Sequence, residues 1–144
     1  MREILFRGKR LEIGDFVEGS LIVYPDGDCY IARPSGDPNV LDKFIVDPDT
    51  IGQYTGLKDK DGRRIFEGDI LGIKFFPQYV ERISWEGPPD AIATVFWDLN
   101  AFSLQAKNGI DFRYADFCDI NYDHTKIIGN IHENPELLEV KDGN

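Results

Sequence analysis

The sequence has little of what a helical, metal-dependent or membrane-spanning protein requires. It holds two cysteines, one methionine and two histidines in 144 residues, and it has no apolar run long enough to span a bilayer. Segments with helical periodicity are nearly absent. Basic residues number 16 against 26 acidic ones, a formal net charge of −10. These shortages exclude a membrane span, a coiled-coil rod and a broadly basic nucleic-acid binder.

The two cysteines, Cys29 and Cys118, lie far apart and form no short-spaced motif. The start of the chain leads into an apolar run of only three residues, which is too short for a signal peptide. Both observations indicate a reducing compartment and two free, buried thiols. A chain of this length also buries enough surface to fold without a disulfide or a metal. We therefore expect a cytoplasmic protein.

The dominant pattern is that of β structure. Eighteen aromatic residues occur in short apolar runs that Gly, Pro, Asn and Asp interrupt, which is typical of strands and turns. The pattern predicts a mainly β fold of two small lobes, residues 1–54 and 70–144, joined by a connecting turn segment at 55–69. The same spacing also fits one compact domain. We expect the second lobe to be an SH3-like curled sheet with a short C-terminal helix capped by Asn134.

Particular strands and turns follow from the same reasoning. We expect strands at Ile4–Phe6, Phe16–Tyr24 and Cys29–Ala32, with a turn at Arg7–Arg10. Ile70–Phe76 alternates between two faces, which predicts a half-buried strand. Tight turns are predicted at Gly56, Gly62, Gly68, Asp69 and Gly109. The Asp-Gly and Asn-Gly steps at Gly62 and Gly109 favour positive φ, and Asp69 is expected to bond to nearby backbone amides.

No pattern of catalytic residues is present. The sequence has no nucleophile elbow, no Walker A loop and no dinucleotide fingerprint. One acidic and histidine-containing stretch includes Asp116, Asp119, Asp123, His124, His132 and Glu133. Its two histidines are eight residues apart with a predicted strand between them, a spacing that matches no zinc site. We therefore expect no metal, no cofactor and no enzymatic activity, although the sequence alone does not say whether this cluster meets in space.

Two features are candidates for binding. The first is the basic island, defined as Lys58, Lys60, Arg63 and Arg64, in the segment 51–80, which carries 5 basic and 4 acidic residues. It is interpreted either as a solvated turn or as a docking point for an acidic partner or phosphate. The second is Trp85 in the loop Pro77–Pro89, where an exposed aromatic side chain would anchor a partner. The other aromatic residues are expected to pack in the core.

Four motifs identify a family resemblance. They are Met1–Arg10, Ile51–Gly62, Ile65–Ile70 and Ile127–Leu138, and together they resemble the YopX family of phage and prophage proteins. The resemblance implies a cytoplasmic, mainly β phage protein of unknown role in a bacterial host, and it carries no catalytic residues across to this sequence.

These observations leave several functional hypotheses. The leading one is a non-enzymatic module that binds a protein partner, and a second copy of the chain is one candidate. The alternatives are a weak nucleic-acid-associated protein that uses the basic island, and an acidic decoy that occupies a DNA-binding protein. An unrecognised hydrolase comes last. Binding to a membrane is not expected.

Overall fold

The computed structural model describes residues 3–74, 87–98, 101–106, 111–112 and 122–139. The chain divides into two compact units, residues 1–56 and 57–144. Both are built from antiparallel strands, so the predicted mainly β fold is confirmed. Within the described ranges, no helix is long and apolar enough to cross a membrane.

Unit 1 is one antiparallel sheet with the strand order β4-β3-β2-β1-β5. Its strands are β1 (Phe6–Lys9), β2 (Phe16–Val23), β3 (Cys29–Pro34), β4 (Leu41–Val46) and the first part of β5 (Gly52–Lys58). Alternate residues of these strands turn inward and bury a small core of Val17, Cys29, Ile31 and Val46. A 3-10 helix at Pro48–Thr50 separates β4 from β5.

The position of β1 corrects a sequence prediction. The segment Arg7–Arg10 was expected to be a turn, but the strand runs through it, from Phe6 to Lys9. Gly8 explains the difference, because a Cβ at this position would lie 2.8 Å from a methyl carbon of Val46. The glycine therefore serves close packing of the backbone against the core rather than a bend.

Unit 2 contains the end of β5 and a five-stranded sheet. β6 (Arg64–Phe66) pairs with β5. The five strands of the sheet are β7 (Asp69–Ile73), β8 (Ala91–Asp98), β9 (Ala101–Ala106), β10 (Asp111–Phe112) and β11 (Thr125–Asn130). The sheet has the order β10-β9-β8-β7-β11. Ile65, Leu71, Val95 and Leu104 form the centre of its core. The five antiparallel strands agree with a small β sheet, whereas the SH3-like form stays a prediction.

The burial of β7 differs from the expected alternation. All five residues from Asp69 to Ile73 are buried, so the strand is covered on both faces and not half-buried. It is also a central strand, because β8 and β11 pair with its two edges. Trp97 departs from expectation in the opposite direction, since it is 49% exposed although it was expected in the core.

The predicted short C-terminal helix is not confirmed beyond a 3-10 turn. Pro135–Leu138 is a single 3-10 turn, and the Asn134 side chain makes no capping bond to it. The Asn134 Oδ1 instead accepts a hydrogen bond from the N–H of Asn130 at 3.2 Å. The Asn134 side chain therefore bonds back to the preceding strand and not forward to the turn.

Candidate functional site

The basic island lies on a tight turn that one buried carboxylate ties to β11. Asp59 is 6% exposed. Its Oδ1 accepts hydrogen bonds from the backbone N–H groups of Asp61 and Arg63, both at 2.9 Å. Its Oδ2 accepts one from the N–H of Ile127 at 3.0 Å. Gly62 completes the turn with φ +79°, which agrees with the positive φ expected at this step.

Sequence reasoning missed the role of Asp59. In the run Lys-Asp-Lys-Asp-Gly the residue resembles one more exposed charge. The signal that identifies it is the spacing, since an Asp two residues before a backbone N–H favours an Asx turn. Its second oxygen is committed to a strand 68 residues away, and no local pattern predicts that partner.

The cations of the basic island are held differently from one another. Lys58, Arg63 and Arg64 are exposed, whereas the Lys60 Nζ donates a hydrogen bond to Asp61 at 2.9 Å. This bond is the main reason why the pKa of the Asp61 carboxyl lies below its ordinary value. The turn therefore presents several positive charges in a fixed geometry and partly neutralises them itself.

The polar residues of the other family motifs bond to the backbone. The Asp69 Oδ2 accepts a hydrogen bond from the N–H of Phe66 at 2.7 Å, as predicted, and Gly68 beside it has φ +92°. The Asn130 Oδ1 accepts hydrogen bonds from the N–H groups of His132 and Glu133, at 3.0 and 2.9 Å. These side chains stabilise turns of unit 2, which accounts for their positions in the motifs.

The acidic and histidine-containing stretch is described only in part. Asp123 and His124 belong to a 3-10 helix before β11, and His132 follows that strand. Asp116 and Asp119 lie outside the described residues, as do Cys118, Gly109 and Trp85. Among the residues that are described, no group of three or more His, Cys, Asp or Glu side chains is placed to hold a metal ion.

Unit 1 presents a surface of aromatic and basic side chains that the sequence did not reveal. Tyr24 and Tyr30 meet edge to face with their ring centroids 5.2 Å apart. The Lys43 Nζ lies 5.8 and 5.5 Å from these two centroids and donates a hydrogen bond to the Tyr24 hydroxyl at 3.2 Å. No described carboxylate forms an ion pair with Lys43.

Phe44 continues this surface around the edge of the sheet. The guanidinium carbons of Arg10 and Arg33 lie 5.1 and 5.0 Å from its ring centroid, within the range of a cation–π contact. Arg10 also forms a two-point ion pair with Asp15, with bonds of 2.5 and 2.6 Å. This ion pair closes the loop between β1 and β2, where Gly14 has φ +80°.

The closed loop and β4 border an open groove of about 260 Å³. Ile13, Tyr30, Phe44 and Ile45 contribute apolar surface to it, and Arg10, Glu12 and Lys43 contribute charge. Leu11 and Ile13 project from the loop with 57% and 67% of their surface exposed. The sequence signal was available, because two large apolar residues occur in a Gly- and Asp-containing loop where polar residues are usual.

β4 is an edge strand of its sheet. The N–H of Leu11 donates to the carbonyl of Ile45 at 3.3 Å, which shows that this carbonyl points away from β3. Because backbone groups alternate in direction along a strand, those of Lys43 and Leu41 point outward as well. Pro34 agrees with this pattern, since it lies opposite Leu41 and has no N–H to donate.

The two cores and the turn-bound motif residues define a small antiparallel β protein of two units. The chain belongs to the YopX family, because the model of that family, described as YopX protein, matches residues 12–139. Among solved structures it is similar to the crystal structure of protein EF1440 from Enterococcus faecalis. That protein is 26% identical, the match covers 96% of this chain and 100% of the other, and the TM-score is 0.51. No curated protein matches the chain.

Proposed function

We propose that the chain is a non-enzymatic protein-binding module of a phage or prophage, acting in the cytoplasm of its bacterial host. The observation that carries this proposal is the groove beside β4, where aromatic, basic and exposed apolar side chains meet. Interfaces are enriched in aromatic residues and Arg, and apolar side chains that reach a pocket dominate their energies.

The use of the polar motif residues supports the same proposal. Asp59, Asp69, Asn130 and Asn134 are polar residues of the family motifs. Each accepts hydrogen bonds from backbone N–H groups. Carboxylates and amides used in this way hold turns together, and they are poorly placed to take part in a reaction.

Affinity capture from host lysate tests the proposal. The tagged full chain is compared with a Leu11→Ser/Ile13→Ser double variant, which removes the apolar surface of the loop. Ile4→Ser is the matched control, because Ile4 is 63% exposed and lies before β1, away from the groove. We expect a partner that wild type and control retain and the double variant loses. Equal retention by all three chains, or no retained protein at all, would contradict the proposal.

Trp85 belongs in the same assay. Its loop, Pro77–Pro89, contains three prolines that reduce the entropy lost on docking. We expect Trp85→Ala to weaken capture as well, because truncation of an anchoring Trp often costs 2 kcal/mol or more, on the order of a thirtyfold change. Capture that is unchanged by Trp85→Ala but lost in the loop variant would assign recognition to the groove alone.

A weak association with nucleic acid is the second candidate. Exposed Lys58, Arg63 and Arg64 on a fixed turn favour it, while the net charge of −10 opposes it. Binding of labelled DNA should then be weak and fall steeply with salt. Capture that yields mainly basic DNA-binding proteins would favour the acidic decoy instead.

A further inference from the structure

The outward edge of β4 is unoccupied within unit 1. No described residue of this unit bonds to the outward N–H and C=O groups of Leu41 and Lys43, whereas Leu11 takes the carbonyl of Ile45. Leu41 is 59% exposed and Val40 beside it 48%. Open strand edges of this kind accept an additional strand from another chain.

A second copy of the chain fits this edge poorly. If two copies paired through β4 about a two-fold axis, each residue whose backbone groups point outward would lie opposite another such residue. These residues alternate along the strand, so the axis must lie level with one residue, which then pairs with its own copy. An axis at Lys43 sets lysine opposite lysine, and an axis at Asp42 sets aspartate opposite aspartate. An axis at Leu41 would pair Lys43 with residue 39, which lies before β4 begins. Like charges that lie directly opposite destabilise a pair. The edge is therefore suited to a different chain.

The side chains of β4 define the chemistry of that chain. Lys43 shares its face of the sheet with Leu41 and Ile45, because side chains alternate along a strand, while Asp42 lies on the other face. A strand added here thus meets an apolar residue, a cation and an apolar residue at successive positions on one face. The groove beside Ile45 has room for one large apolar side chain.

A single carboxylate, and not an acidic run, complements this pattern. Lys43 has aromatic neighbours and a tyrosine hydroxyl but no described carboxylate partner. Residues 1–50 as a whole carry 6 basic and 10 acidic residues, so a longer run of acidic residues would be repelled.

We propose that β4 is a docking edge for an extended segment of a partner protein. The segment adds as a strand beside Leu41–Lys43, sets one carboxylate at Lys43, and places an apolar side chain in the groove. This inference rests on the proposed protein-binding function and names the class of segment that the same surface recognises.

Labelled synthetic decapeptides test the inference with the intact chain. The probe carries Glu at its centre and Leu two residues to either side, and a second peptide carries Lys in place of Glu. We expect the Glu peptide to bind about tenfold more tightly, and Lys43→Glu to reverse the preference. Lys58→Glu is the matched control, because it makes the same charge change at an exposed site in unit 2.

A backbone test separates strand addition from a charge contact alone. Methylating the amide of the peptide residue opposite Lys43 leaves its side chains unchanged but removes a backbone donor, and we expect it to abolish binding. Hydrogen exchange at the Lys43 amide should slow when the unmodified peptide binds. Equal affinity of both peptides, binding unaffected by methylation, or a dimer of the chain through β4 in sedimentation would each overturn the inference.

The failure of strand addition is distinguishable from failure of the proposed function. If a captured partner is lost in the Leu11→Ser/Ile13→Ser variant but retained by Lys43→Glu, the chain binds protein without adding a strand at β4. If neither a lysate partner nor a peptide binds, both strand addition at β4 and the proposed protein-binding function are contradicted.

Discussion

Asp59→Ala tests the central structural claim about the basic island. The substitution removes the acceptor of three backbone N–H groups. Leaving the buried N–H of Ile127 without a partner costs about 1–3 kcal/mol, and each of the other two lost bonds costs about 0.5–1.5 kcal/mol because water can replace part of it. We expect the free energy of unfolding to fall by about 3 kcal/mol, a large share of the 5–15 kcal/mol that is usual for a domain.

Urea denaturation monitored by fluorescence measures this change, and hydrogen exchange at the Ile127 amide measures its local cause. The stability of Asp59→Asn should lie between those of wild type and Asp59→Ala. The asparagine keeps one acceptor oxygen, but its NH₂ group replaces the other and then faces a backbone N–H that is also a donor. Asp61→Asn is the control, since it removes a carboxylate two residues away that is exposed and bonded to Lys60. A midpoint for Asp59→Ala that equals the control, with the Ile127 amide still protected, would refute the reasoning.

Three further changes have expected outcomes. Gly62→Val should lower the free energy of unfolding by about 1 kcal/mol or more in a urea titration, because a β-branched residue resists φ +79°, and an unchanged midpoint would contradict the turn assignment. The bond to Arg10 lowers the pKa of Asp15. The stabilisation from this ion pair is therefore fully present above the ordinary pKa of Asp, and it is lost as pH falls through the lower pKa of the folded state. Asp15→Asn should therefore make melting temperature less dependent on pH in the acid range, and identical profiles would count against it. Gly8→Ala should lower the melting temperature by several degrees, since its Cβ would meet Val46 at 2.8 Å; wild-type melting would mean that the strand shifts freely.

Most strands were predictable from the sequence, because the pattern that indicates each one lies within the strand itself. Phe16–Val23 and Ala91–Asp98 alternate or cluster apolar residues between turn residues, and this pattern alone indicates a strand. β1 was misplaced because Arg7 and Lys9 resemble a turn when the strand that packs on Gly8 is unknown. The predicted Asn134 cap was wrong for a related reason, since Asn134 bonds back to Asn130 and not forward along the chain.

The candidate site was less predictable than the fold. The basic island could be found from its charges, but its attachment through Asp59 depends on a strand 68 residues away. The surface around Lys43 and Phe44 is assembled from β3, β4, the residue that follows β2 and the loop that follows β1. Of these segments, only the loop with its two large apolar residues has an unusual composition. A pairing register, and not a motif, brings these side chains together.

The long separation between Asp59 and Ile127 also sets an order for folding. Unit 1 contains its own core and its strands come from residues 6–56, so it can form while the rest of the chain is still being synthesised. Unit 2 has no such freedom, because β7, an interior strand of its sheet, gains one of its two neighbours only when β11 has been synthesised. Until β11 is present, one Asp59 oxygen lacks the N–H of Ile127 and one edge of β7 lacks its paired strand. Closing a loop of this length slows folding, and a ribosome that stalls before Thr125 would leave the apolar centre of unit 2 exposed.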